Sequence, residues 1–178
     1  MTETLSHIAL RRLNGPEASP YYHPFPSVTL SLSPENTLVI DAPLVCDERL
    51  VTNDVARLLP DGSFAIIGRK DNIINSGGIK IQIEEVEERL RPYLDRPYAI
   101  DRPYAITAAP DPRLGGAVVL LLASNLRGEM LTEVLASLPK YLRPRHIIKV
   151  SEIPQTGSGK IDRAACRELA RNIITKTL

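Results

Sequence analysis

The chain is poor in cysteine, in blocks of like charge and in long apolar runs, and each shortage removes a class of protein. Two cysteines, Cys46 and Cys166, among 178 residues are far from a disulfide scaffold and fit no metal or redox spacing, so a reduced, cytoplasmic setting is expected. Lys and Arg number 22 against 21 Asp and Glu, a net charge of +1 with neither sign gathered. That balance offers no electrostatic footprint for nucleic acid or an anionic membrane. No apolar run approaches the roughly 18–20 residues of a membrane span, and AVVLLLA at 117–123 has the length of a buried strand. The opening MTETLSHIALRR lacks the basic-then-apolar order of a signal peptide. It also starts with neither a helix cap nor a turn, as a chain cut into mid-fold would. What remains is 43% apolar residues, enough for a packed core, with small molecules or proteins as the expected partners.

Residues 1–67 read as short strands separated by Pro- and Gly-containing turns. VTLSL alternates Val28, Leu30 and Leu32, TLVIDAPLV is a second apolar run, and VARLL-PDG-SFAII has the turn chemistry of a hairpin. After GRKD (68–71) the character changes. IKIQI alternates Ile79, Ile81 and Ile83 behind the turn-forming NSGG, which predicts a second hairpin. IEEVEERLRPYL then takes helical spacing at Ile83, Val86 and Leu90, with Glu85/Arg89 and Glu87/Arg91 four apart and Pro92 expected to end the helix at Arg91. YAITAA, AVVLLLA and HIIKV read as strands. Leu131, Val134, Leu135 and Leu138 make one helical stripe; Cys166, Leu169, Ala170 and Ile173 make another, with Asp162 as N-cap. The expected fold is α+β: a β-rich part over 1–68, then a small domain of helices on a sheet over 69–178. A tandem DRPYAI at 95–100 and 101–106 reads as a local duplication, of which one copy enters the sheet and the other stays in a loop or at an edge.

One lysine, Lys160, stands directly behind Gly157-Ser158-Gly159 on what reads as a mobile loop. The phosphate-loop pattern fails there, because Pro154 occupies its first glycine position and Ile161 follows the lysine. Glycines beside a lysine still allow close approach to a charged ligand, although most loop lysines are simply solvated. Taken singly, Asp54 is a turn former, Arg69 a surface charge and Gly77-Gly78 a tight turn with positive φ.

Together these stretches resemble a known family. GRKDNIINSGGIKIQIEEVE (68–87) follows the hinge-and-hairpin motif of the adenylate-forming superfamily of acyl-CoA synthetases, luciferases and peptide-synthetase adenylation domains, and PQTGSGKIDR (154–163) follows its C-terminal motif. TND with its downstream GR resembles the family's ribose-binding acid motif, and MTET the tail of its Y-G-x-T-E motif. The spacing between EVE and APD (109–111) is longer than is usual in the family, so one DRPYAI copy looks inserted. Within the superfamily, MTETLSHIALRR, LVIDAPLV and the hinge stretch look most like 2-succinylbenzoate–CoA ligases of menaquinone biosynthesis.

The resemblance implies an ATP-dependent ligase that joins a carboxylate to CoA through an acyl-adenylate, with ATP, Mg²⁺ and CoA as its cofactors and co-substrates. This chain would be its C-terminal portion: the end of the large domain, then the whole mobile domain, inactive alone. Lys160 is then the catalytic lysine, Asp54 and Arg69 bind ribose, Thr2 the α-phosphate, and Glu3 holds Mg²⁺. Asp71 is the hinge, and Gly77, Gly78 and Lys80 line the CoA channel. Ser6 and His7 fall where relatives line the acyl pocket. An adenylation module that loads a carrier protein and a non-catalytic binding domain derived from the family are the alternatives.

Overall fold

The computed structural model describes residues 7–94, 104–123 and 128–177. The chain divides into two compact units, Met1–Asn72 and Ile73–Leu178. In the first, β1 (Ala9–Leu10) and β2 (His23–Pro24) pair antiparallel. Four further strands, β3 (Thr29–Leu32), β4 (Thr37–Asp41), β5 (Leu50–Leu58) and β6 (Phe64–Arg69), form an antiparallel meander. The turns carry their own chemistry. Ser33 Oγ accepts from the amides of Glu35 and Thr37 before β4, and Asn36 there adopts φ 61°, which its short polar side chain tolerates. In the expected PDG turn, Asp61 accepts from the amide and hydroxyl of Ser63 at 3.0 and 2.7 Å, and these bonds hold its carboxyl below the usual carboxylate range.

Ile8, Leu38, Ile40, Ala42, Ala56 and Phe64 make the small core of this unit, with Tyr22 stacked on Phe64 at 5.4 Å between ring centroids. The TLVIDAPLV run is strand only as far as Asp41. Pro43 has no N–H to extend a ladder, so the chain turns at Ala42, whose carbonyl accepts from the amides of Val45 and Cys46. Leu44 is left 79% exposed.

The second unit begins with the hairpin of β7 (Ile73–Ser76) and β8 (Ile79–Gln82). Its two turn residues, Gly77 and Gly78, have φ of 57° and 84°, the pattern that matches the twist of paired strands. Then follow α1 (Ile83–Leu94), β9 (Tyr104–Asp111), β10 (Gly115–Leu122), α2 (Gly128–Ala136), β11 (His146–Lys149) and α3 (Arg163–Thr177). β10 is the spine of the sheet: it pairs antiparallel with β9 along its length, parallel with β11 over Val119–Leu122, and with β7 at Gly115. A Cβ on Gly116 would lie 2.8 Å from the Asn75 carbonyl oxygen, so glycine is what lets β7 come this close.

Strand periodicity gives the sheet two buried faces. Val118, Leu120 and Leu122 pack with Val86, Leu90 and Leu94 of α1 and Val134 of α2. Val119, Leu121 and Ala123 pack with Cys166 and Ala170 of α3. The α+β architecture expected from the pattern is the one observed, with helices on both faces of a mixed sheet.

Two boundaries differ from expectation. Pro92 lies inside α1, which ends at Leu94 rather than Arg91. The proline has only two residues after it in the helix, and Leu94, 2% exposed, rewards the extra half turn by packing into the core. Leu138 lies past the end of α2 yet is buried, its amide donating to the Leu135 carbonyl at 3.2 Å. Of the DRPYAI pair, the first copy lies outside the described residues, while Tyr104, Ala105 and Ile106 of the second open β9. No helix among the described residues is long and apolar enough to cross a membrane.

Candidate active site

In the first unit, three of the residues singled out from the sequence meet at the end of the β5–β6 ladder. Register sets Asp54 opposite Arg69, beyond a bulge between Val55 and Ala56, and Asp71 follows on the 3₁₀ turn Lys70–Asn72. Arg69 spreads its guanidinium between them, donating from Nη1 to Asp54 Oδ1 and from Nη2 to Asp71 Oδ2, each at 3.3 Å. The side chains of Asp54, Arg69 and Asp71 are 28%, 51% and 61% exposed. Solvent therefore screens both pairs, and each contributes at most about 1 kcal/mol. Below Asp54 the strand itself is secured, since Thr52 Oγ1 accepts from the Asp54 amide and donates to the Leu38 carbonyl. An acceptor and a donor loosely paired on a firm strand suit a vicinal diol, which donates to carboxylate and accepts from guanidinium.

In the second unit, the stretch around Lys160 is no open linker. Gln155 bridges Ile161. The Thr156 amide donates to the Lys160 carbonyl at 2.7 Å, the Gly159 amide to the Thr156 carbonyl at 2.9 Å, and the Asp162 amide to the Pro154 carbonyl at 2.9 Å. Gly159 takes φ 76°, a turn position that glycine fills without strain. Lys160 is exposed just past this turn, and among the described residues its ammonium makes no hydrogen bond or ion pair.

The loop runs directly into α3. Asp162 caps the helix as expected, its Oδ1 accepting from the Ala165 amide at 2.9 Å. Next to it, Arg163 grips Glu87 of α1 with a bidentate fork, Nη1 to Oε1 and Nη2 to Oε2, both at 2.6 Å. Arg163 Nη1 also donates to the Ile106 carbonyl at 3.2 Å, and Glu87 Oε1 accepts from the Ile106 amide at 3.2 Å. The bond to Glu87 raises the Arg163 pKa above its ordinary value. Sequence reasoning expected Glu87 to face Arg91 and assigned Arg163 no role. The available signal was that each closes one of the two quoted motifs, EEVE and GKIDR.

The other predicted positions are distributed as follows. The Gly77 amide donates to the Leu114 carbonyl at 2.9 Å, and a Cβ on Gly77 would touch the Leu114 side chain at 3.0 Å. A Cβ on Gly78 would meet nothing within 4 Å, so backbone conformation rather than crowding within the chain calls for glycine there. Lys80 is exposed on β8 opposite Asn75, and His7 is exposed. Thr2, Glu3 and Ser6 lie outside the described residues. Among the described residues no cluster of three His, Cys, Asp or Glu could hold a metal. A cleft of about 740 Å³ in the second unit, lined by Asn75, Pro110, Gly116, Arg167 and Arg171 among others, includes none of the predicted site residues.

No family model matches the chain. A salicylyl-CoA synthase / salicylate adenylyltransferase of a Streptomyces species is 35% identical over 126 residues, 67% of this chain and 22% of that one. The crystal structure of an acyl-CoA synthetase (AMP-forming)/AMP-acid ligase II-like protein from Dyadobacter fermentans is 31% identical, with a TM-score of 0.52 over 93% of this chain and 48% of that one. The chain shares the fold and the ancestry of the adenylate-forming superfamily. An O-succinylbenzoate coenzyme A synthetase from Bacillus subtilis, in complex with ATP and magnesium ion, has the same superfamily fold: TM-score 0.71 at 22% identity, over 92% of this chain and 39% of that one. Peptide synthetases are matched as well, at 34% and 32% identity. The chain spans less than a quarter of the length of these curated relatives and less than half of these two structures.

Proposed function

We propose that this chain is the C-terminal portion of an ATP-dependent acid–CoA ligase, with residues 1–68 ending the large nucleotide-binding domain and 69–178 forming the mobile one. The observation that carries this reading is Lys160: an ammonium without a partner among the described residues, on a closed turn in the superfamily's C-terminal motif. In the first half-reaction a carboxylate oxygen attacks the α-phosphorus of ATP and pyrophosphate leaves, so negative charge crowds together in the transition state. A preorganised ammonium there lowers the barrier by about 3–4 kcal/mol, roughly a hundredfold or more in rate. Asp54 accepts from the ribose hydroxyls and Arg69 donates to the ribose, at the cost of only weak contacts to each other. Thr2 donates to the α-phosphate. Glu3 would hold Mg²⁺, a hard cation that supplies positive charge beside the phosphate oxygens.

In the second half-reaction the CoA sulfur attacks the acyl carbon and AMP leaves. Lys160 is not needed there, and rotation about Asp71 exchanges it for the Gly77–Gly78 hairpin. The open space around Gly78 suits passage of a pantetheine arm, with Lys80 placed to orient nucleotide or CoA. The acid is 2-succinylbenzoate, with Ser6 and His7 against it, and the setting is cytoplasmic. The similarity to peptide synthetases favours a second reading, in which the acyl group passes to a carrier protein.

The test is AMP release by the complete parent enzyme, followed by chromatography, with ATP, Mg²⁺, CoA and 2-succinylbenzoate, and with benzoate and fatty acids as competitors. Release that requires both 2-succinylbenzoate and CoA is expected, and none from this chain alone. Release with another acid would discard the substrate and keep the chemistry. Release with a carrier protein but not CoA would favour the second reading, and none with any acid would sink the ligase.

A further inference from the structure

The bonds within residues 154–162 give the Lys160 loop its shape, but its place in the domain and its resistance to opening depend on how it is anchored. Its place is set at its two ends. Ile153, 4% exposed, is buried in the α3-side core just before it, and Arg163 follows it. Arg163 stands three residues from Lys160 and ties α3 to both α1 and β9 through Glu87 and the Ile106 carbonyl. Glu87 is itself fixed from the other side, by the Ile106 amide and by the Tyr104 hydroxyl, which donates to the Glu87 carbonyl at 3.2 Å. Two elements distant in sequence are thus pinned at the point where the reactive loop enters the helix, by a carboxylate only 16% exposed. The fork has a defined direction as well as a charge, because a planar guanidinium engaging both carboxylate oxygens resists rotation that a lysine would allow.

We propose that Glu87 and Arg163 are positioning residues for the adenylation step: their bidentate pair holds Lys160 where its ammonium meets the reacting phosphate. This rests on the catalytic reading of Lys160. Electrostatic assistance falls steeply with misplacement, so loosening the fork weakens the half-reaction that uses Lys160 and largely spares the one that does not.

The experiment measures both half-reactions separately in the complete parent enzyme: ATP–pyrophosphate exchange for the first, and thioester formation from supplied acyl-adenylate for the second. Hydrogen exchange at the Thr156 and Gly159 amides reports the loop. In Glu87→Gln the first half-reaction is expected to fall roughly tenfold to a hundredfold, at least about tenfold more than the second, with faster exchange at both amides. Arg163→Lys, which keeps the charge and loses the fork, is expected to fall between Glu87→Gln and the wild type. A variant that folds, by its circular dichroism, yet loses both half-reactions equally would make the pair merely structural and overturn the proposal. Unchanged pyrophosphate exchange, or unchanged amide exchange in the loop, would overturn it too. Lys160→Ala, run beside them, separates the two claims: if it leaves pyrophosphate exchange intact, the catalytic reading of Lys160 is what has failed.

Discussion

Two arginines in this chain each engage carboxylates, and they do so in opposite styles. Arg163 makes a half-buried bidentate fork at 2.6 Å, with a further bond to a backbone carbonyl. Arg69 divides itself between Asp54 and Asp71 through two exposed contacts at 3.3 Å. The first arrangement leaves little of the guanidinium for anything else and ties three elements together. The second is screened by solvent at both contacts, and each of them is worth little. The same residue types therefore serve as an anchor in one unit and as a loose, exposed cluster in the other, and burial with bond geometry decides between them.

The contrast has measurable consequences. Replacing Arg163 by alanine leaves Glu87 poorly compensated, and a loss of about 2–4 kcal/mol in urea unfolding of the second unit is expected. A double-mutant cycle between Glu87 and Arg163 should give a coupling of about 1.5 kcal/mol or more, as expected for a charge-assisted pair sheltered from solvent. Removing the Asp162 cap with alanine is expected to cost about 1 kcal/mol by the same unfolding curve. Arg69→Ala should change stability by about 1 kcal/mol or less, while weakening nucleotide binding by calorimetry in the parent enzyme if the proposed ribose contact is right. A stability loss at Arg69 equal to that at Arg163 would erase the distinction.

The smallest effect is one of pH. Asp111 Oδ1 accepts from the amides of Leu114 and Arg113, each at 2.9 Å, which lowers its pKa below the usual carboxylate value. A carboxyl depressed on folding contributes stability that is present above its unfolded pKa and lost as pH falls through the folded one. Asp111→Asn should therefore be less stable than the wild type near neutrality, with the gap closing only in acid. A gap that stayed constant across the acid limb would remove the ionised form from the explanation.

Much of the fold was legible because strand and helix periods are written plainly here. Val118 to Leu122 alternate between two buried faces, and Ile83, Val86 and Leu90 hold one helical stripe. The turns at Asp61-Gly62 and Gly77-Gly78 were legible from residue chemistry alone. The end of α1 was not, because the burial of Leu94 is a tertiary gain that a local rule about Pro92 does not contain. Among the candidate functional residues, Asp54, Arg69 and Lys160 stood out through motif likeness. The tie between Glu87 and Arg163, 76 residues apart, was out of reach because no local pattern encodes which carboxylate a guanidinium will find. That the stretch around Lys160 closes into a turn was hidden for a related reason, since most of its bonds are backbone ones that Gly and Ser leave unspecified, with the Thr156 hydroxyl adding a bond to the Lys160 carbonyl at 3.2 Å.

The most direct measurement is ATP–pyrophosphate exchange by the complete parent enzyme with its acid, comparing wild type and Lys160→Ala. If the Lys160 ammonium stabilises adenylate formation, exchange falls about a hundredfold or more while the unfolding transition of the second unit stays where it was, as suits an exposed side chain with no partner among the described residues. Exchange within a few-fold of wild type would contradict that role and leave Lys160 a solvated charge on a well-made turn.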